Sequence, residues 1–68
     1  MSKQERYDKI IETLKAGGAV IVATYTKATI FSAKHIDSFK LTPSGLYAKY
    51  GRTWLCIDGC ALRFGHKA

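Results

Sequence analysis

Residues 46–58 read Leu46-Tyr47-Ala48-Lys49-Tyr50-Gly51-Arg52-Thr53-Trp54-Leu55-Cys56-Ile57-Asp58. Two alternating runs flank Gly51-Arg52, and the pattern predicts a β-hairpin closed by those two residues. Glycine at the first central position suits a type II′ turn, because it accepts positive φ without a Cβ clash. A two-residue loop fixes the register, so Tyr50 faces Thr53, Lys49 faces Trp54, Ala48 faces Leu55, Tyr47 faces Cys56 and Leu46 faces Ile57. Side chains alternate across a strand, so the hairpin has two unlike faces. Leu46, Ala48, Leu55 and Ile57 form the expected core face. Tyr47, Lys49, Trp54 and Cys56 form a mixed aromatic and basic face.

Upstream of the hairpin, Thr42-Pro43-Ser44-Gly45 reads as a type I turn with a following bulge, Pro second and Gly fourth. It is fed by Ser38-Phe39-Lys40-Leu41-Thr42, with Phe39 and Leu41 inward and Lys40 outward. Downstream, Asp58-Gly59 turns the chain into a last short strand, Cys60-Ala61-Leu62-Arg63-Phe64, with Arg63 outward. Residues 65–68 read as a frayed tail. Ala19–Tyr25 is β-branched and apolar on both faces at its start, which fits a central or doubly covered strand. A turn near Thr26-Lys27-Ala28 returns it through Thr29–Ser32, although that turn contains no Gly, Asn or Pro. Ala33–Asp37 reads either as a loop or as a single helical turn capped by Ser32.

At the start of the chain, Ser2 and Glu5 form an S-x-x-E capping box. Tyr7, Ile10, Ile11 and Leu14 recur at i, i+3, i+4, i+7 and give one apolar stripe. Glu5 and Lys9 are spaced for an i,i+4 ion pair. Lys15 stands in the last turn, and Gly17-Gly18 permits a left-handed cap. Helix is expected over residues 3–16. The whole is a single α+β domain spanning 1–68. One N-terminal helix packs on an antiparallel sheet of about five strands, connected largely as a meander. The expected core is Tyr7, Ile10, Ile11, Leu14, Val20, Val22, Phe31, Phe39, Leu41, Leu46, Leu55, Ile57, Leu62 and Phe64.

The net charge of +6 is uneven. Residues 1–18 hold four bases and three acids, whereas residues 19–68 hold seven bases and two acids. The positive field belongs to the strands. A basic domain attracts nucleic acid, anionic lipid or an acidic protein surface. No apolar run reaches the ~20 residues that a membrane span needs. The charged N-terminus has no signal-peptide core, so no membrane partner and a cytoplasmic location are expected.

The sheet face away from the helix is the candidate site. It is expected to display Lys40, Tyr47, Lys49, Trp54 and Arg63, with Arg52 at the hairpin tip. Rings set between cations suit single-stranded nucleic acid, where bases stack and Lys or Arg track phosphates. The competing reading is ordinary cross-strand packing of Trp54 and Tyr47. The expected function is a non-enzymatic binding protein that contacts nucleic acid or a nucleoprotein complex. The alternative is a small inhibitor or adaptor of the mobile-element (for example phage) type, docking on an acidic surface of a host enzyme or nuclease complex. Pairing of this face in a homodimer is a third possibility.

No catalytic motif or cofactor is indicated. Cys56, Cys60, His66 and His35 are only loosely compatible with zinc ligation, so no metal site is assigned. The two cysteines are expected as reduced thiols, since a bridge closing so short a loop would add little. Asp37 and Asp58 are single carboxylates beside turns, and Gly17-Gly18 precedes a strand, where no phosphate loop forms.

Overall fold

A computed structural model describes residues 2–65. The order is α1 (Lys3–Lys15), β1 (Ala19–Ala23), β2 (Ala28–Ser32), a 3-10 helix (Ala33–Ser38), β3 (Phe39–Thr42), β4 (Gly45–Tyr50), β5 (Thr53–Cys56) and β6 (Ala61–Gly65). The fold class is α+β, but the strands make two sheets. One has the order β2-β1-β6 and the other β3-β4-β5, with every pairing antiparallel. The expectation of a single meandering five-stranded sheet is therefore corrected.

The helix ends where its local chemistry ends it. The Glu5 N–H donates to Ser2 Oγ at 3.2 Å, and the Ser2 N–H donates to Glu5 Oε1 at 3.3 Å. Gly17 closes the other end at φ 83°. The expected Glu5–Lys9 ion pair does not form: Glu5 serves the cap, and Lys9 Nζ lies 4.6 Å from the centroid of the Phe64 ring. Ile10 and Leu14 are fully buried, while Tyr7 and Ile11 pack on the core margin.

The β1–β2 turn lacks the usual turn residues because a threonine does their work. Thr24 Oγ1 donates to the Lys27 carbonyl at 2.8 Å and accepts from the Lys27 N–H at 3.3 Å. The Thr24 N–H also donates to the Lys27 carbonyl at 2.7 Å. After β2 the 3-10 helix carries the chain into the second sheet. Phe31 spans the junction, with its ring 4.8 Å from Phe39 and 5.7 Å from Tyr50, both edge-on.

The β4–β5 hairpin has the register set by its two-residue loop, with Tyr47 opposite Cys56, Ala48 opposite Leu55, Lys49 opposite Trp54 and Tyr50 opposite Thr53. Gly51 has φ 64° and Arg52 does not share the positive sign, as a type II′ turn requires. The β3–β4 ladder runs without a break from Phe39–Ala48 to Thr42–Gly45, so the bulge expected after Pro43 is absent.

The chain leaves the meander at Asp58. Ile57 is fully buried and still donates its N–H to the Leu46 carbonyl at 2.8 Å. The Leu46 N–H in turn donates to Asp58 Oδ1 at 2.8 Å. Arg6 of the helix donates to the Asp58 carbonyl and, at 2.7 Å, to the Cys60 carbonyl. This guanidinium fork holds the 58–60 turn against α1. The turn does not fold back on β5; β6 pairs with β1, with Arg63 opposite Ile21. Lys3 Nζ lies 3.5 Å from Asp58 Oδ2. The Leu46 N–H above all holds the Asp58 carboxyl below its ordinary value; burial opposes it, and Lys3 and the Cys56 thiol add smaller lowering effects.

The core joins Ile10, Leu14, Val20, Val22, Phe31, Phe39, Leu46, Ala48 and Ile57, all buried. Leu41, Leu62 and Phe64 are packed at its margin. Leu55 corrects the expected core. It lies on the core side of β5, but β5 is an edge strand and leaves it 42% exposed. His66, Lys67 and Ala68, and with them most of the expected frayed tail, lie outside the described residues; Gly65 belongs to β6.

Candidate nucleic-acid interface

Four of the six sequence-derived residues share one sheet face. In β3–β4 Lys40 stands opposite Tyr47, and in β4–β5 Lys49 stands opposite Trp54. These cross-strand pairs lie on the face opposite Phe39, Leu46 and Ala48, which the core takes. Lys40 Nζ is 4.3 Å from the centroid of the Trp54 ring and 5.8 Å from that of Tyr47. Lys49 Nζ is 6.0 Å from the Trp54 ring. Trp54 and Tyr47 are half-buried, and both lysines are exposed. The indole is thus flanked by two cations at the surface and is not sealed inside.

Arg52 is exposed at the hairpin tip, beyond the paired residues. Arg63 does not belong with the others. It is exposed on β6, in the first sheet, because β6 pairs with β1 and not with β5. Among the described residues Lys3–Asp58 is the one ion pair within 4.0 Å, so no carboxylate neutralises Lys40 or Lys49. Cationic groups left without counter-charge beside aromatic rings attract anions.

Beside this face lies a groove of about 710 Å³ lined by Lys27, Thr29, Ile30, Phe31, His35, Ser38, Lys49, Tyr50 and Gly51. Its walls are the β2 strand, the 3-10 helix and the tip of the β4–β5 hairpin. Among the described residues Lys27 and Lys49 are its charged lining, and no carboxylate lines it. Lys27 Nζ reaches to 5.8 Å from the Tyr50 ring. The Tyr50 hydroxyl is buried and has no hydrogen-bond partner among the described residues. Burial first, and the neighbouring Cys60 second, push its phenol above the ordinary value. His35 Nδ1 accepts the Ser32 N–H at 3.3 Å, which assigns the ring proton of neutral His35 to Nε2. A second cleft along the helix is lined by Tyr7, Asp8, Ile11, Glu12, Lys15 and Ala16; its two carboxylates do not suit an anion.

Sequence reasoning missed Lys27 and Ser38, and it weighed His35 only as a zinc ligand. Lys27 entered it only as a turn residue and as part of the charge excess, because its place beside the Tyr50 ring depends on two sheets meeting. Among the described residues no group of three or more His, Cys, Asp or Glu side chains could hold a metal ion. Cys56 is exposed, Cys60 half-buried, and both are free thiols; His66 lies outside the described residues. No helix among the described residues is long and apolar enough to cross a membrane.

Comparison with protein-family models, with curated proteins and with solved structures returns no match. The functional reading therefore rests on the geometry of this face.

Proposed function

We propose that this protein is a non-enzymatic nucleic-acid-binding module that takes single-stranded nucleic acid on the β3-β4-β5 face. The observation that carries the reading is the placement of Lys40 and Lys49 around the Trp54 indole, with Tyr47 adjoining.

In the free protein Lys40 covers part of the indole. An exposed cation–π contact contributes about 0.5–1 kcal/mol, and a stacked base about 1–3 kcal/mol. Exchange of the ammonium for a base is therefore neutral to favourable. The displaced lysine is then free to reach a phosphate, so the exchange adds an ionic contact. A protein partner would need carboxylates to match the two lysines and would gain no base stacking on the indole.

Binding of a short oligonucleotide at two salt concentrations tests the reading. Contacts from Lys40, Lys49 and Arg52 to three phosphates give a slope of log K against log salt of about −2 or steeper. Raising salt from about 50 to about 200 mM then weakens binding at least roughly fifteenfold. Trp54→Ala loses one stack, about 1–3 kcal/mol, or roughly 5- to 150-fold in affinity. Absence of binding at low salt, or full affinity in Trp54→Ala, overturns the proposal. Tight binding to an acidic polypeptide in place of the oligonucleotide favours the adaptor reading.

A further inference from the structure

We infer that the groove between β2, the 3-10 helix and the β4–β5 tip is a phosphodiester subsite for the strand that stacks on Trp54. The inference deepens the proposed function and rests on it. It adds Lys27, a residue from the first sheet, to a site otherwise built on the second.

Three observations carry it. The groove is large enough for a backbone phosphate with its sugar, at about 710 Å³, and its charged lining is Lys27 and Lys49 alone. Lys49 is common to groove and platform: it lines the one and stands opposite Trp54 in the other. A strand with a base on the indole therefore has its next phosphate beside Lys49, and the groove continues from that lysine to Lys27. Gly51 at the hairpin tip lines the groove, and the space where its side chain would stand is open, with no atom within 4 Å. Arg52, exposed beside Gly51, adds a third cation to the hairpin tip.

The chemistry selects a phosphodiester over an acidic side chain. Lys27 and Lys49 both line the groove, and Ser38, which also lines it, adds a hydroxyl hydrogen-bond donor. A phosphodiester presents two anionic oxygens to such a set while remaining part of a continuing chain. A carboxylate ends its side chain and brings no base to the indole.

Lys27→Gln and Lys27→Glu separate the groove from the platform, since Lys27 makes no contact with Trp54. The probe is an oligothymidylate of about twelve nucleotides, a length suited to one small domain. Binding is read by quenching of Trp54, the single tryptophan of the chain. The expected result is unchanged quenching at saturation, affinity lowered roughly fivefold in Lys27→Gln at low salt, and a salt slope shallower by about 0.7. Lys27→Glu weakens binding further. Quenching with unchanged affinity and slope in both variants overturns the subsite and leaves the platform standing. Absence of quenching in the wild type overturns both. Equal binding of polyglutamate, lost in Lys27→Gln, overturns the subsite in favour of an acidic protein. Circular dichroism of the variants keeps the reading free of folding defects, which an exposed turn lysine is not expected to cause.

Discussion

Arg6→Met isolates the contact that sends the last strand to its place. Methionine keeps the length of the side chain, and its helix propensity is close to that of arginine. What is lost is the guanidinium fork on the Asp58 and Cys60 carbonyls. Hydrogen bonds to charged donors contribute about 1.5–3 kcal/mol each, and a buried acceptor left empty costs about 1–3 kcal/mol. Both of these bonds are only part-buried, so water recovers some of the loss. The expected destabilisation is about 2 kcal/mol. A chain of 68 residues has a stability of roughly 3–10 kcal/mol, so this is a large share of the total. Urea unfolding should show a lower midpoint with an unchanged slope, and the thermal midpoint should fall by roughly 8–16 °C. Arg6→Lys should recover no more than about half, because one ammonium cannot match the planar fork. A loss below about 0.5 kcal/mol in Arg6→Met would refute the claim that this side chain anchors the turn.

Three further outcomes are expected. Gly45→Ala should destabilise by about 3 kcal/mol or more in urea, since φ 146° strains any L side chain and the new Cβ collides with the Asp58 carboxylate; a cost under about 1 kcal/mol contradicts this. Tyr50→Phe should raise stability by about 0.5–1 kcal/mol, because the buried hydroxyl has no partner among the described residues; a clear loss in a thermal melt would mean the hydroxyl is satisfied. The depressed Asp58 carboxyl contributes stability that is present above the unfolded value of about 3.9 and is lost as pH falls through the folded value. The difference in urea midpoint between the wild type and Asp58→Asn should accordingly be constant above about pH 5 and shrink below about pH 4, and a pH-independent difference would count against it.

What the sequence made legible is what short-range chemistry decides. The capping box and Gly17 bound the helix with residues within its own length. The hairpin register follows from a two-residue loop, and it placed Lys49 against Trp54 without any knowledge of the fold. Alternation then put Lys40 and Tyr47 on the same face. The division into two sheets was not legible, because Asp58-Gly59 looks like any hairpin turn. The turn is held by Arg6, 52 residues away along the chain, which read only as a helix charge. Arg63 went to the other sheet for the same reason. Leu55 shows a different limit: alternation tells which side of a strand a residue occupies, but not whether anything covers that side. The Lys27–Tyr50–Lys49 groove depends on β2 meeting the hairpin tip, a long-range contact that no local spacing encodes.

Emission from the single tryptophan gives the shortest route to the proposed role. A stacked base quenches the indole directly, whereas a phosphate held at a distance does not. Titration with a single-stranded oligonucleotide at low salt should quench Trp54 saturably, be reversed by added salt, and be weaker with a duplex of the same length, whose bases are already stacked. Binding without any change in Trp54 emission, or quenching indifferent to salt, would contradict a face in which Lys40 and Lys49 steer a strand onto the indole.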